Sequence, residues 1–501
     1  MQYISTRGQT DAVASAGAIL RGLALDGGLY LPDTLPAVPP GDIGRMSELP
    51  YAVLAARLLS RWLTDYSEDE LLAFTRAAYA PERFAPADVA PLRRLDRDTS
   101  VLELFHGPTC AFKDFALQML PWLLTAAARK CGENKTIAIL TATSGDTGKA
   151  AMMGFMDVPQ TCIAVFYPDG GTSDIQRLQM AAQQGNNVAV FAVRGNFDDA
   201  QSGVKALFTD EGLARRLARE GIMLSSANSI NWGRLAPQIV YYYSAYARLV
   251  KNGVITLGER VNFCVPTGNF GNILAGYLAK KSGLPVGKLI CASNRNNVLT
   301  DFIHTGVYDK NRPFARTASP SMDILISSNL ERLLFLLSGR DSARCRDWME
   351  GLKTAGRYDV GPDMLCALRE EGFAAGWCDD ADTAEEIARA FREDSYLCDP
   401  HTAVALRAAR REREKTGDRT HTVVLATASP FKFAPAILPA LGVDACGSGF
   451  DLLRRLSQVS GQPVPPSLAG LEQAAVRFTS VWEKTQMRDA LCGWLEGGEA
   501  Q

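Results

Sequence analysis

The sequence predicts an α/β protein built on a mostly parallel, doubly wound sheet, and three observations predict it. Short apolar runs alternate with longer amphipathic segments through the middle of the chain. Glycine-bearing turns follow some of those runs, at the strand ends where such sheets bind ligands. The 501 residues are 47% apolar, enough for a packed core and long enough for several folding units or one large enzyme.

The elements follow in order. The first part, to about Leu92, holds the turn-rich Ala24-Leu25-Asp26-Gly27-Gly28-Leu29-Tyr30-Leu31-Pro32 and a helical pattern over 51–64. Strands are expected at 136–142, 161–166, 187–193, 222–225, 260–265, 288–292 and 422–426, because each is a short apolar run. Helices are expected after them at 149–156, 174–184 and 234–251. Residues 294–396 break the rhythm and read as a helical insertion, with helices at 342–355, 362–371 and 384–393. Beyond Gly461, Pro463, Pro465 and Pro466 precede one helical pattern to about Leu491. The expected division is an N-terminal domain 1–92, an α/β body 93–450 with the insertion at about 295–396, and a C-terminal extension 451–501.

Charge and targeting exclude several classes. Lys+Arg 53 against Asp+Glu 55 gives a net charge of −2, which offers no basic field to nucleic acid. The opening MQYISTRGQTD has no apolar signal core, and the uncharged stretch 115–128 is too short to span a bilayer. The 11 cysteines are scattered without a C-x-x-C pair, and the 4 histidines lie far apart, so neither a disulfide framework nor a metal site is expected. The expectation is a soluble cytoplasmic protein with free thiols, binding neither nucleic acid nor membrane.

Four stretches carry candidate chemistry. Thr143-Ser144-Gly145-Asp146-Thr147-Gly148-Lys149 follows an expected strand and fails both the Walker and the dinucleotide glycine patterns. Its small residues would present backbone N–H groups to an anion, although a plain turn is the simpler reading. Pro266-Thr267-Gly268-Asn269-Phe270-Gly271-Asn272 makes a second such cradle, and two in one sheet suit two anionic groups. Lys113 lies between Phe112 and Phe115 at an expected helix start, where apolar surroundings favour the neutral amine that a Schiff base needs. Taken alone, that stretch reads more simply as a surface lysine paired with Asp114. Thr427 ends the last expected strand, while Asn231 and Arg234 can share a helix face on which Arg would grip phosphate or carboxylate.

Together these residues resemble the threonine synthase family of pyridoxal-phosphate (PLP) enzymes, in the tryptophan-synthase-β fold group. The match covers most of the chain. It rests on Tyr3-Ile4-Ser5-Thr6-Arg7-Gly8, Asp26-Gly27-Gly28-Leu29, the Phe105-to-Phe115 lysine block, Ser144–Gly148, Ala227–Asn231, Gly268–Asn272 and Asp399-Pro400-His401-Thr402-Ala403. The long N-terminal segment is similar to the bacterial and fungal branch. The resemblance implies PLP fold type II, two open mostly parallel α/β layers with an N-terminal segment and a helical insertion. It implies that Lys113 forms the aldimine with PLP and acts as the catalytic base. Gly268, Asn269, Phe270, Gly271 and Asn272 would hold the PLP phosphate, with Thr427 facing the pyridine nitrogen. Thr143, Ser144, Asp146 and Thr147 would lie by the substrate carboxylate, and Asn231 and Arg234 by the substrate phosphate. Asp146 departs from the wider group's usual Asn, Cys110 from an aliphatic residue and Ser429 from His.

The implied reaction converts O-phospho-L-homoserine and water to L-threonine and phosphate, by β,γ-elimination of phosphate and water addition at Cβ. An O-phosphohomoserine lyase or a serine/threonine dehydratase of the same fold is the alternative. A PLP-free phosphate-binding protein and a silent PLP-binding partner are further ones. Monomer and homodimer are both open.

Overall fold

The computed structural model describes residues 1–85, 88–170 and 173–497. Two open sheets organise them, as the alternating pattern requires. The first runs Val481–Glu483, Val188–Arg194, Thr161–Pro168, Thr136–Ala142, Ile222–Ser226, with every neighbouring pair parallel. The second runs Phe373–Trp377, Val286–Ser293, Val261–Pro266, Thr422–Ala426, Thr99–Glu103, Leu92–Arg94, and only its last pair is antiparallel. Helices cover the sheets, so central strands such as Val261–Pro266 are buried along their whole length. That burial explains why they read as continuous apolar runs and not as alternating ones.

All seven expected strands form, with ends moved by at most two residues. The helices also form, and the one expected at 149–156 starts earlier, as Asp146–Phe155. Several strands were hidden in the sequence. Thr99–Glu103 has polar residues at both ends, and Phe373–Trp377 contains two alanines and a glycine. The second lies in the presumed helical insertion, so that region also gives the six-stranded sheet an edge. The tail differs from one helical pattern: it forms Pro466–Ala469, the edge strand Val481–Glu483 and the helix Met487–Leu495. Pairing with Val188–Arg194 overrides the helical periodicity there.

The N-terminal region packs into the main core. Tyr3–Ser5 pairs antiparallel with Tyr30–Pro32, and Ser67 with Glu70 forms a capping box at the start of Glu68–Ala78. The Tyr3 and Trp62 rings lie 5.3 and 5.8 Å from Trp232, and the Tyr3 hydroxyl donates to the Trp62 carbonyl at 2.6 Å. Trp232 opens the long buried helix Trp232–Lys251, so the N-terminal region braces the element that carries Arg234. Among the described residues, no helix is long and apolar enough to cross a membrane.

Candidate active site

The strands Thr99–Glu103 and Thr422–Ala426 lie side by side, and the chain leaving one meets the chain leaving the other. Ala111 bridges Ala428, and the Phe112 N–H donates to the Thr427 carbonyl at 2.8 Å. This crossing sets Lys113 at the carboxyl end of the sheet, at the head of the short helix Lys113–Leu117. The surface reading of Lys113 is overturned. Its side chain is 12% exposed, and Asp114 turns away to accept from the Thr109 N–H at 2.8 Å and the Thr109 hydroxyl at 2.7 Å. Burial pushes the Asp114 carboxyl up to about 6, against those two bonds.

The Lys113 amine donates to the Ser321 hydroxyl at 3.4 Å and lies 3.7 Å from Asp146 Oδ2. Burial pushes its pKa down to about 8; the Asp146 charge opposes the fall, and the Lys432 and Arg234 charges add to it. Burial is thus the main cause, and two cations contribute as well. Asp146 is equally buried. Its Oδ1 lies 2.5 Å from Lys432 Nζ and accepts from Gln176 Nε2 at 2.9 Å, while Oδ2 accepts from Ser321 Oγ at 3.3 Å. Burial would raise this carboxyl, but Lys432 and Lys113 hold it far below the usual range. The strong donor that a carboxylate in this loop needs is Lys432.

The first turn folds around Thr143, whose hydroxyl accepts from the N–H groups of Gly145 at 2.9 Å and Gly148 at 3.0 Å. Thr143 thus shapes the loop through the lone pairs of its hydroxyl oxygen. Ser144 and Thr147 are half-buried, and their hydroxyls have no protein partner among the described residues. Gly145 has φ +138°, and a Cβ there would lie 2.8 Å from the Gln176 carboxamide. Thr143 takes the Gly148 N–H of the helix that follows, which leaves the Asp146 and Thr147 N–H groups for an anion.

The second turn is built differently. Phe270 takes a left-handed φ of +62°, held by burial and by stacking on Phe373 at 6.1 Å. The helix Gly271–Lys281 begins without a side-chain cap. Gly268 passes so close to the Ser321 carbonyl that a Cβ would come within 2.7 Å. Asn269 is exposed, and its carbonyl accepts from the Asn329 side chain at 2.9 Å. Asn272 is buried: its Oδ1 accepts from Tyr241 at 2.5 Å and Tyr242 at 3.0 Å, leaving its Nδ2 without a partner. A close-packed glycine, uncapped N–H groups and an orphan buried amide fit a phosphate group. Thr427 is 6% exposed, and its hydroxyl has no protein partner among the described residues.

Asn231 and Arg234 divide in role. The Asn231 amide donates to the Ile19 carbonyl at 3.0 Å, and its oxygen accepts from the Gly233 N–H at 2.8 Å. It is the cap of its helix, with one amide N–H and its oxygen engaged and a second N–H left over. Arg234 is 4% exposed, donates to the Ala227 carbonyl at 2.7 Å and keeps Nε unpartnered. Burial pushes its pKa down to about 10, with no carboxylate beside it. A buried guanidinium with spare donors suits an anionic ligand.

Sequence reasoning missed Ser321, Lys432 and Gln176. Ser321 comes from the turn Pro320–Met322 inside the presumed insertion and touches Lys113, Asp146 and the glycine turn. The His401 ring accepts from its N–H at 3.1 Å and is held by Asp399 at 2.6 Å, which gives the Asp399–His401 motif a place in the site. Lys432 did carry a signal: like Lys113 it is flanked by phenylalanines, Phe431 and Phe433. Ser321 carried none.

Comparison with known proteins places the whole chain among relatives of one kind. Residues 2–79 match the family model described as threonine synthase N terminus, residues 86–428 that of pyridoxal-phosphate dependent enzymes, and residues 402–490 that of threonine synthase, C-terminal. The threonine synthase of Pseudomonas aeruginosa is 42% identical over 87% of this chain and 90% of its own length. Human threonine synthase-like 1 is 41% identical over 85% of this chain, which spans only 58% of that relative's length. The PLP-bound threonine synthase structure from Brucella melitensis superposes with a TM-score of 0.86 at 38% identity, covering 98% of each chain. The yeast threonine synthase structure gives 0.88 at 33% identity, over 99% of this chain and 98% of that one.

Proposed function

The chain belongs to the threonine synthase family of PLP-dependent enzymes, and from that premise we propose that it converts O-phospho-L-homoserine and water to L-threonine and phosphate. The observation that carries this proposal is a lysine whose charged form burial disfavours, together with a buried arginine that has spare donors. One serves a carbonyl-bearing cofactor and the other an anionic substrate.

Lys113 holds the cofactor. When bound, PLP supplies the electron sink for charge developing at the substrate's α carbon. The turn from Gly268 to Asn272 binds the cofactor phosphate with its uncapped N–H groups, and the buried Asn272 amide supports it. Thr427 offers the ring nitrogen a neutral hydroxyl, which does not enforce ring protonation as an Asp would. The free Lys113 amine would accept the α proton at Nζ. With a pKa near 8 it can take and return protons at neutral pH, which successive proton moves at the α, β and γ carbons require. The Ser321 hydroxyl keeps Nζ pointed into the site. Ser144 and Thr147 provide free hydroxyls for the substrate carboxylate, and Asp146 acts through its neighbours. Arg234 steadies the leaving phosphate. The burial of Lys113, Asp146, Arg234 and Lys432 limits water at the reacting carbons.

The test is a turnover assay with O-phospho-L-homoserine that follows both products. Phosphate and threonine should appear in equal amounts. Phosphate released with 2-oxobutyrate and without threonine would replace the synthase with the lyase alternative. A cytoplasmic setting is supported by the 11 free cysteines, 7 of them buried and 3 exposed, none paired as a disulfide.

A further inference from the structure

We propose that Lys432 is a positioning residue for the Lys113 amine: by holding Asp146 in a buried ion pair, it keeps that carboxylate from closing on Lys113. What the freed amine then does rests on the threonine synthase reading, but the positioning itself does not.

Asp146 has two cations within reach and favours one. Lys432 Nζ lies 2.5 Å from Oδ1, whereas Lys113 Nζ lies 3.7 Å from Oδ2. The preference is built in. The Lys432 side chain is 0% exposed and its amine also donates to the Thr109 carbonyl at 3.1 Å, so it is anchored from the loop that Asp114 clamps. Gln176 and Ser321 take one further acceptor position on each carboxylate oxygen, and the position left on Oδ2 faces Lys113. Opposite charges this close in a dry site close to a contact pair unless something else holds one of them. A lysine in such a contact stays protonated, and a protonated amine neither forms an imine nor accepts a proton.

The charged groups facing Lys113 come from four directions. Asp146 opens the helix Asp146–Phe155, Lys432 lies in the turn Pro430–Phe433, and Arg234 lies in the helix Trp232–Lys251. His401 is reached through the Ser321 backbone, and Asp114, on Lys113's own helix, is engaged by Thr109. Asp146 strengthens proton binding at Lys113, while Lys432 and Arg234 weaken it. Removing Lys432 therefore acts twice in one direction: one weakening charge disappears, and Asp146 is released toward Lys113. Removing Asp146 acts oppositely, and removing both should nearly cancel.

Competitive acetylation of the full-length, cofactor-free chain, read on the Lys113 peptide by mass spectrometry, measures this directly. It needs neither turnover nor bound PLP, so it can succeed where threonine formation fails, and the reverse. The Lys113 midpoint should move alkaline by about one pH unit or more in Lys432→Met. It should move acid in Asp146→Asn and return near wild type in the double variant. A purely structural Lys432 would lower the melting temperature and leave the midpoint in place. A folded Lys432→Met with the wild-type midpoint overturns the proposal. If Lys432→Met does not fold, Lys432→Gln, which keeps a donor for the Thr109 carbonyl, is read in the same way. A folded Lys432→Gln with an alkaline midpoint supports the proposal, and one with the wild-type midpoint overturns it.

Discussion

Lys113 and Lys432 are both flanked by phenylalanine, both buried, and both within reach of Asp146, yet the protein treats them differently. Lys432 has a contact carboxylate at 2.5 Å and a carbonyl at 3.1 Å. Lys113 has a hydroxyl at 3.4 Å and a more distant carboxylate at 3.7 Å. Burial penalises a charged amine in either place, and only a close counter-charge offsets it. The difference teaches that burial alone does not make a lysine reactive. Burial with its partner withheld does.

The largest expected effect breaks the reactive member. Lys113→Ala should abolish the cofactor absorbance near the visible edge and lower turnover at least about 10³-fold, as expected when the acid–base group is lost. Spectra and initial rates on one preparation check it. An unaltered spectrum with normal turnover would sink the assignment.

Breaking the firmly paired member should cost stability as well. Lys432→Met leaves Asp146 buried without its contact partner, and a broken buried pair costs about 3–5 kcal/mol. Thermal melts of the cofactor-free protein read this. A variant as stable as wild type would show that Gln176 and Ser321 suffice for Asp146.

Arg234 extends the contrast to a buried cation with no carboxylate at all. Arg234→Met should raise KM for the phosphorylated substrate about 10- to 100-fold, the range for one lost charged hydrogen-bond partner. Cofactor binding, followed by absorbance, should change much less. Equal losses in both would move Arg234 to the cofactor's side of the site.

The contrast also marks how far the sequence is legible. The turns around Gly145 and Gly268 are local: a strand, a few small residues and a helix start within one short stretch, so their anion-binding character is visible in order. The seven strands were visible for a related reason, since a strand buried on both faces must be apolar throughout. Thr99–Glu103 and Phe373–Trp377 were not, because polar ends and small residues dilute that signal. Lys113 was legible as a candidate, but not its burial. Its setting depends on Lys432 and on Ser321, which is 208 residues away in a region without matching periodicity. The cap role of Asn231 was not legible, because a helix cap and a phosphate ligand use the same residue type.

The smallest expected effect is the sharpest test of the contrast, because it predicts a sign. Lys113→Met removes a buried amine whose pKa is pushed down to about 8, below its ordinary 10.5. A base with its folded pKa lowered is penalised in the folded state when protonated. That penalty is complete below about pH 8 and disappears as pH rises through 10.5. The isosteric methionine escapes it. The cofactor-free Lys113→Met protein should therefore be more stable than wild type by about 1–2 kcal/mol at neutral pH, a discounted share of the linkage. The gain should shrink as the pH is raised toward the ordinary lysine value. Melting curves at neutral and alkaline pH, beside those of Lys432→Met, read both signs together. A neutral-pH loss in both variants would mean that Lys113 is paired as firmly as Lys432, and the distinction between the two lysines would fall.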